Sequence, residues 1–474
     1  MTPPAQELIL SLRPGVSLVD DVAAGVLHLL HRGVWRHNQA FSHPDADYRR
    51  ILRELSADAG ISWPRADVAG DESAFIESLV AGGWLTLTIR SGDQPQYTLR
   101  PLRDLPIECL DGSADREPNT GDVRLSRFVV VRSEGDGVLV ESPLAAAQIL
   151  VHRPAVAGSV GALLAGAPAT AGGESPPRIH DRLVRDLAAV GMLASGTGED
   201  SAVDVRQWAP QDLLFHRHSR QGNGGYDNIG FGRTGWGKAL GRAEPARRVR
   251  HAGAVVALPD PDIKSLCSTD IPLAQAMEER RSHRDFDDDH PIRLEQISEL
   301  LFRSVRARSE YLLDDTECLS VPYPSGGAVY ELETYLVVRT ADGLEPGFYH
   351  YERHDHQLRR LPGSTAQADQ ILRTAAAAGA VRRPPQAVIV ITARFGRLLR
   401  TYEGVPYALI LKHVGALYQT LYLAATAAGI GICGLGAGDS STFENAVGLD
   451  FTSEGSVGEL MIGSLGEQGA DKWD

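Results

Sequence analysis

The sequence predicts an α+β C-terminal half, a mixed sheet flanked by helices, preceded by two winged-helix-like modules. Three observations carry this. The texture alternates between helical and strand patterns from about residue 255 onward, the N-terminal half contains two stretches built on one plan, and one long apolar helix lies near the C-terminus. At roughly 100 to 200 residues per domain, 474 residues predict about two to four domains.

The first N-terminal stretch runs "RPGVSLVDDVAAGVLHLLHRGVW" and closes with "AFIESLVAGGWLTLT"; the second runs "VVVRSEGDGVLVESPLAAAQILVHR" and closes with "RLVRDLAAVGMLASG". Each reads as a short strand pair, a helix of small and apolar residues, and a last helix. The matching ends, Gly83-Trp84-Leu85 and Gly191-Met192-Leu193, suggest a duplication. The expected modules span 1–108 and 122–205. The Gly, Pro, Ser and Ala-rich stretches 110–124 and 166–177 read as loops, and 206–254 as a joining segment, Gly-rich and irregular over 208–238.

In the C-terminal half, 255–474, "LAQAMEERRSHRDF" reads as a helix ending in a basic turn and "LEQISELLFRSV" as another helix. "LETYLVVRT" reads as a strand, "GFYHYERHDHQLRRL" as a hairpin, and "QAVIVITA" as a buried strand of β-branched residues. "LLRTYEGVPYALILKHVGALYQTLYLAATAAGIGICGLG" then reads as a polar start leading into a long apolar helix, with Pro406 suited to its start and Gly429 and Gly431 to its stop. The strand "ELMIGSLG" ends the domain. Val414 to Cys433 carries no charge, close to the length of a span. Its Gln, Thr and Gly content and the absence of a basic flank favour a buried helix of a protein outside the membrane.

Composition narrows the function. The chain is 43% hydrophobic and 23% charged, with 47 Lys+Arg against 61 Asp+Glu, a net of −14. An acidic surface repels phosphate backbones, so nucleic acid is not an expected partner. Cys109, Cys267, Cys318 and Cys433 form no CxxC and fit a reducing cytoplasm. The N-terminus lacks a basic region leading into an apolar run, so no signal peptide is expected. No nucleophile or Walker motif appears. His350, His354 and His356 fall at the hairpin turn, where solvated histidines are common, and no metal site is expected.

Three short segments could carry chemistry. In "EERRSHRDF", Arg280, Arg281, Ser282 and Arg284 gather guanidiniums and a hydroxyl at a helix end, a possible phosphate cradle or a solvated basic turn. Pro324-Ser325-Gly326-Gly327 is a turn whose backbone can approach a ligand closely. Leu435, Gly436 and Gly438 lie in the Gly-rich "CGLGAGDSS" after the long helix.

Taken in order, these segments with "GLEPGFYHYERHDHQL" and "YEGVPYALILKHVGALYQTLYLAATAAGIG" resemble the nitroreductase-like flavoproteins. More closely, they resemble the SagB/ThcOx-type peptide dehydrogenases. That resemblance covers 255–470 and extends through "WAPQDLLFHRHSRQG". It implies a homodimer with FMN at the subunit interface. Arg280, Arg281, Ser282 and Arg284 would hold the FMN phosphate and ribityl chain. Pro324, Ser325, Gly326 and Gly327 would lie along the isoalloxazine edge, from the partner chain. Leu435, Gly436 and Gly438 would add backbone contacts near the phosphate.

The implied reaction oxidises thiazolines or oxazolines of a ribosomally made peptide to azoles, a base taking a carbon-bound proton while the flavin takes a hydride. The implied partners are a precursor peptide, bound through its leader as an added strand, and other peptide-modifying enzymes. The branch associates the base with a Lys-Tyr pair; here those positions are Thr401 and Tyr402. A Thr hydroxyl cannot replace a Lys as base. The departure leaves open a reductase of dehydroamino acids, with Tyr402 as proton donor, and a catalytically silent peptide-binding partner.

Overall fold

The computed structural model describes residues 6–465 except 22, 24, 32–37, 43–44, 65–69, 103, 111–122, 167–176, 196–201, 221–233, 235–236, 238–243 and 403. Nearly all of the two expected loops and most of the joining segment 208–238 lie outside the described residues. The chain divides into two compact units, residues 1–229 and 230–474.

The N-terminal unit comprises β1 (Gln6–Leu12), β2 (Val16–Asp21), β3 (Val26–His31), β4 (Asn38–Ser42), α1 (Ala46–Ser56), β5 (Ile61–Trp63), α2 (Gly70–Ala81), β6 (Leu85–Ser91), β7 (Gln94–Pro101), β8 (Val123–Leu125), β9 (Val130–Glu134), β10 (Gly137–Glu141), β11 (Ala147–Val151), α3 (Pro154–Leu164), α4 (Pro177–Ala189), β12 (Leu193–Ser195), α5 (Val203–Arg206) and α6 (Pro210–His218). Seven strands from both predicted stretches share one sheet in the order β5-β1-β6-β7-β11-β10-β9. The junction is β7 against β11, with Tyr97 opposite Val151.

The helix of small and apolar residues expected in each stretch is a strand instead, β3 and β11. In β3, Leu27 and Leu29 are buried and their neighbours are not; in β11, Ala147, Ile149 and Val151 alternate with half-buried Gln148 and Leu150. That period of two belongs to a strand with one covered face. The last helices, α2 and α4, form where expected.

The C-terminal unit contains β13 (Val255–Ala257), α7 (Ile263–Thr269), α8 (Leu273–Glu279), α9 (Leu294–Val305), β14 (Ser309–Leu313), β15 (Thr316–Ser320), β16 (Leu332–Val338), β17 (Gly347–Glu352), β18 (Gln357–Leu361), α10 (Thr365–Ala378), β19 (Ala387–Arg394), α11 (Phe395–Leu399), α12 (Pro406–Ala427), β20 (Ile430–Leu435), α13 (Ser440–Val447) and β21 (Glu454–Ser464). Its sheet runs β13-β18-β17-β16-β19-β21-β20. Every ladder in it is antiparallel, where a mixed sheet is expected from sequence; hairpin connections between β16, β17 and β18 turn the chain straight back.

Every residue of β16 and β19 is buried, because the sheet is covered on both faces. Leu332, Leu336, Ile389, Ile391 and Leu460 meet α9 and α12 on one side. Tyr335, Val337, Val388, Val390 and Met461 meet α10 and α13 on the other. The β17–β18 hairpin forms as expected, but its histidines are not solvated: His350 and His356 are buried, with His350 Nε2 3.2 Å from Glu333 Oε2. Among the described residues no helix is long and apolar enough to cross a membrane.

Acid should weaken the N-terminal unit through Glu141, at the end of β10. Burial alone would raise this carboxyl, but His218, Arg132 and Gln148 hold it down from 4.5 to about 2. A depressed carboxyl stabilises the fold above its unfolded value, and the contribution fades as the pH falls toward about 2. Thermal melts of the unit between these limits should lose less stability in Glu141→Gln than in the wild type; equal acid sensitivity would contradict this.

Candidate active site

Two clusters line opposite ends of α12. The helix begins with Pro406 in its first turn, and its buried face includes His413, Val414, Leu417, Leu421 and Tyr422. His413 and Tyr422 are nine residues apart, which is about 13.5 Å along an α-helix. Each polar side chain gathers a different predicted segment.

At the Tyr422 end, the Tyr422 hydroxyl accepts the Gly434 N–H at 2.7 Å and lies 2.8 Å from Ser282 Oγ. The Arg280 guanidinium stands 5.4 Å over its ring, a cation–π distance. Helix α8 ends at Glu279, and the segment after it is pinned beside β20 by His283 N–H donating to Ile432 O at 2.8 Å. Arg284 Nε donates to Gly379 O at 3.1 Å, while Arg281 is exposed.

Beyond β20, a Cβ on Gly436 would meet nothing within 4 Å, whereas one on Gly438 would fall 2.1 Å from the Glu459 carboxyl. The structure thus brings Arg280 and Ser282 to the start of the Gly-rich turn. Guanidiniums, a hydroxyl and an open backbone are the donor set an anionic phosphate requires, so these residues fit the phosphate end of FMN.

At the His413 end, the Gly326 N–H donates to His413 Nε2 at 2.7 Å, and His413 Nδ1 lies 2.7 Å from Glu331 Oε1. A Cβ on Gly326 would sit 3.7 Å from the Tyr402 hydroxyl, so Tyr402 and the Pro324–Gly327 turn lie side by side. Burial, then Cys318 and Glu331, push the Tyr402 phenol above its ordinary range. Tyr402 is therefore protonated at neutral pH. Thr401 is buried, and its hydroxyl donates to Arg397 O at 2.8 Å. Lys412 is exposed. Glu403 lies outside the described residues.

Beneath the turn lies a buried charge layer that the sequence reading missed. Arg397 donates to three backbone carbonyls, Val329 at 3.0 Å, Glu244 at 2.7 Å and Glu317 at 2.8 Å. Burial, with Arg394 alongside, pulls its guanidinium down to about 10. Burial alone would raise the Glu333 carboxyl, but Arg353, His350 and Arg394 hold it well below the usual range. His413, Glu331 and Tyr422 were also missed. One signal was legible: a His and a Tyr on an otherwise apolar helix must find partners when buried.

Tyr422→Phe should strand the Gly434 N–H and cost about 1–3 kcal/mol. Denaturant unfolding read on the C-terminal unit checks this; an unchanged midpoint would remove Tyr422 as the link between Ser282 and Gly434.

The nitroreductase family model matches residues 277–464, and the model of the cyanobactin oxidase ThcOx matches 123–224. The presumed nitroreductase MJ1384 of Methanocaldococcus jannaschii is 29% identical over 177 residues, 37% of this chain and 82% of that one. Among solved structures, a presumed nitroreductase of Ralstonia eutropha JMP134 aligns with a TM-score of 0.36 and 21% identity, over 48% of this chain and 96% of that one. The E. coli microcin synthetase McbBCD complex with truncated pro-MccB17 aligns with a TM-score of 0.35 and 19% identity, over 47% and 79%. Residues 123–224, in the first unit, are thus similar to the ThcOx oxidase, and residues 277–464, in the second, carry a nitroreductase family domain.

Proposed function

We propose that this protein is an FMN-dependent oxidoreductase that acts on a ribosomally synthesised precursor peptide, dehydrogenating its thiazoline or oxazoline rings. The observation that carries the reading is the union, in one chain, of a ThcOx-type segment with a nitroreductase family domain. Arg280, Arg281, Ser282 and Arg284 hold the phosphate and ribityl chain, with Leu435, Gly436 and Gly438 contributing backbone. Pro324, Ser325, Gly326 and Gly327 border the ring system from a second copy of the chain.

A homodimer is supported by the outer face of α12, where Tyr407, Leu411, Gly415 and Gln419 form an exposed stripe. Leu273 and Met277 of the adjoining α8 are 65% and 57% exposed. Apolar side chains so exposed on neighbouring helices are typical of an interface. Peptide binding by the N-terminal unit is supported by a cavity of about 590 Å³ lined by Leu8, Trp63, Pro64, Ile89 and Glu77 among others. Beside it, Gln6 and Glu7 of β1 extend past the three residues that β5 pairs, which among the described residues leaves an edge for an added strand. A cytoplasmic setting, where precursor peptides are made, suits the reading.

When bound, the flavin would supply the electron chemistry, as hydride acceptor or donor. The chain's own contribution is positioning and proton handling. Tyr402, protonated and beside the turn, is suited to give a proton to a reacting carbon or nitrogen. Thr401, turned to Arg397 O, is not suited to take one. That pairing favours a second reading, reduction of dehydroamino acids in a modified peptide, which needs a proton donor more than a base.

Mass analysis of the natural peptide after incubation separates the two readings: loss of two hydrogens per ring supports dehydrogenation, and gain of two per residue supports reduction. An unchanged peptide, with the protein retained on it, would leave a silent binding partner. Tyr402→Phe should lower kcat by about 10²–10⁴ with little change in KM; an unaffected rate would exclude Tyr402 as the proton carrier.

A further inference from the structure

The turn bordered by Tyr402 is held in a conformation its own residues resist. Gly327, Ala328 and Tyr330 have φ of 63°, 55° and 49°. For Ala and Tyr the left-handed region costs about 1 kcal/mol or more each. Such a backbone persists only where its surroundings over-determine it.

Here the surroundings converge on one carboxylate. Glu331 is 0% exposed. Its Oε1 faces His413 Nδ1 at 2.7 Å, and His413 Nε2 accepts the Gly326 N–H at 2.7 Å. Its Oε2 accepts from Ser325 Oγ at 3.4 Å, and that same Oγ accepts the Tyr330 N–H at 3.1 Å. The carboxylate therefore grips the start of the turn twice, directly at Ser325 and through the imidazole at Gly326, and Ser325 Oγ ties that start to Tyr330 at its end.

The proton position follows from the donors. A backbone N–H can only donate, so Nε2 must present its lone pair to Gly326. The single ring proton then sits on Nδ1 and points at Glu331. The other tautomer would set two N–H groups against each other at hydrogen-bond distance. His413 thus has no lone pair left to act as a base, close as it is to Tyr402. A Cβ at Gly326 would meet His413 Nε2 at 3.3 Å and the Tyr402 hydroxyl at 3.7 Å, so imidazole, turn and phenol pack as one unit.

We infer that His413, in its Nδ1–H form and oriented by Glu331, is the positioning residue of the Ser325–Gly327 turn and, through it, of the flavin edge. The second half rests on the flavin reading above; the first does not. Hydrogen–deuterium exchange on the flavin-free full chain tests the first half.

His413→Phe keeps a ring but removes both bonds, and should speed exchange of the segment around Gly326 about tenfold or more while β19 stays protected. His413→Gln, whose amide offers one acceptor and one donor, should restore part of the protection. Unchanged exchange in His413→Phe would overturn the clamp. Should His413→Phe not fold, the same comparison is made between His413→Gln and His413→Asn, whose amide is too short to reach Gly326.

FMN titration of the same proteins tests the second half. The dissociation constant should rise about tenfold in His413→Phe, with a shifted flavin absorbance band, and recover in His413→Gln. Faster exchange with unaltered FMN affinity and spectrum would overturn the link to the flavin. A wild type that takes up no FMN would overturn that half together with the flavin reading, and the exchange data would still decide the clamp.

Discussion

The candidate site depends on one carboxylate kept dry and fully bonded. Glu331 sits at the boundary between the strained turn and β16, and it is buried completely. A buried charge without partners is costly enough to unfold a domain. Glu331 escapes that cost by taking a hydrogen bond from His413 and one from Ser325. The partners that satisfy it are the ones that fix the turn, so the electrostatic requirement and the backbone geometry are met by the same contacts. Arg397 does the same from below, donating only to carbonyls of segments that must meet there.

Around this point the fold acts as a spacer. The buried pair β16 and β19 fixes the sheet, and α12 lies across one face of it. Because the helix is rigid, the turn at His413 and the basic segment at Tyr422 are held about 13.5 Å apart. In the proposed dimer each station would serve a different ligand, the phosphate station of one chain working with the turn of the other. The exposed stripe on α12 leaves the helix free to meet a second copy, which suits a site built from two chains.

Much of the catalytic half was legible in the sequence. Helix α9, the β17–β18 hairpin, the buried strand β19 and the long helix α12 all fall where apolar periodicity predicts, because each buries a continuous face or stripe. Strands β3 and β11 were misread as helices, since short apolar runs of Leu, Val and Ala satisfy both periods until a partner strand decides. The predicted site segments were legible as motifs. Their grouping was not, because it depends on His413 and Tyr422, two side chains whose roles come from tertiary contacts more than a hundred residues away in sequence in Ser282's case. The helix periodicity marks both as core; only the need to satisfy buried polar atoms marks them as organisers.

The most direct test of the flavin site is a titration of the purified, flavin-stripped full-length protein with FMN, followed by visible absorbance and fluorescence quenching. Saturation at about one FMN per chain, with a resolved and shifted flavin band, is the expected result. Absence of any saturable change would contradict a flavin site built from the Tyr422 end of α12 in one chain and the His413 end in its partner.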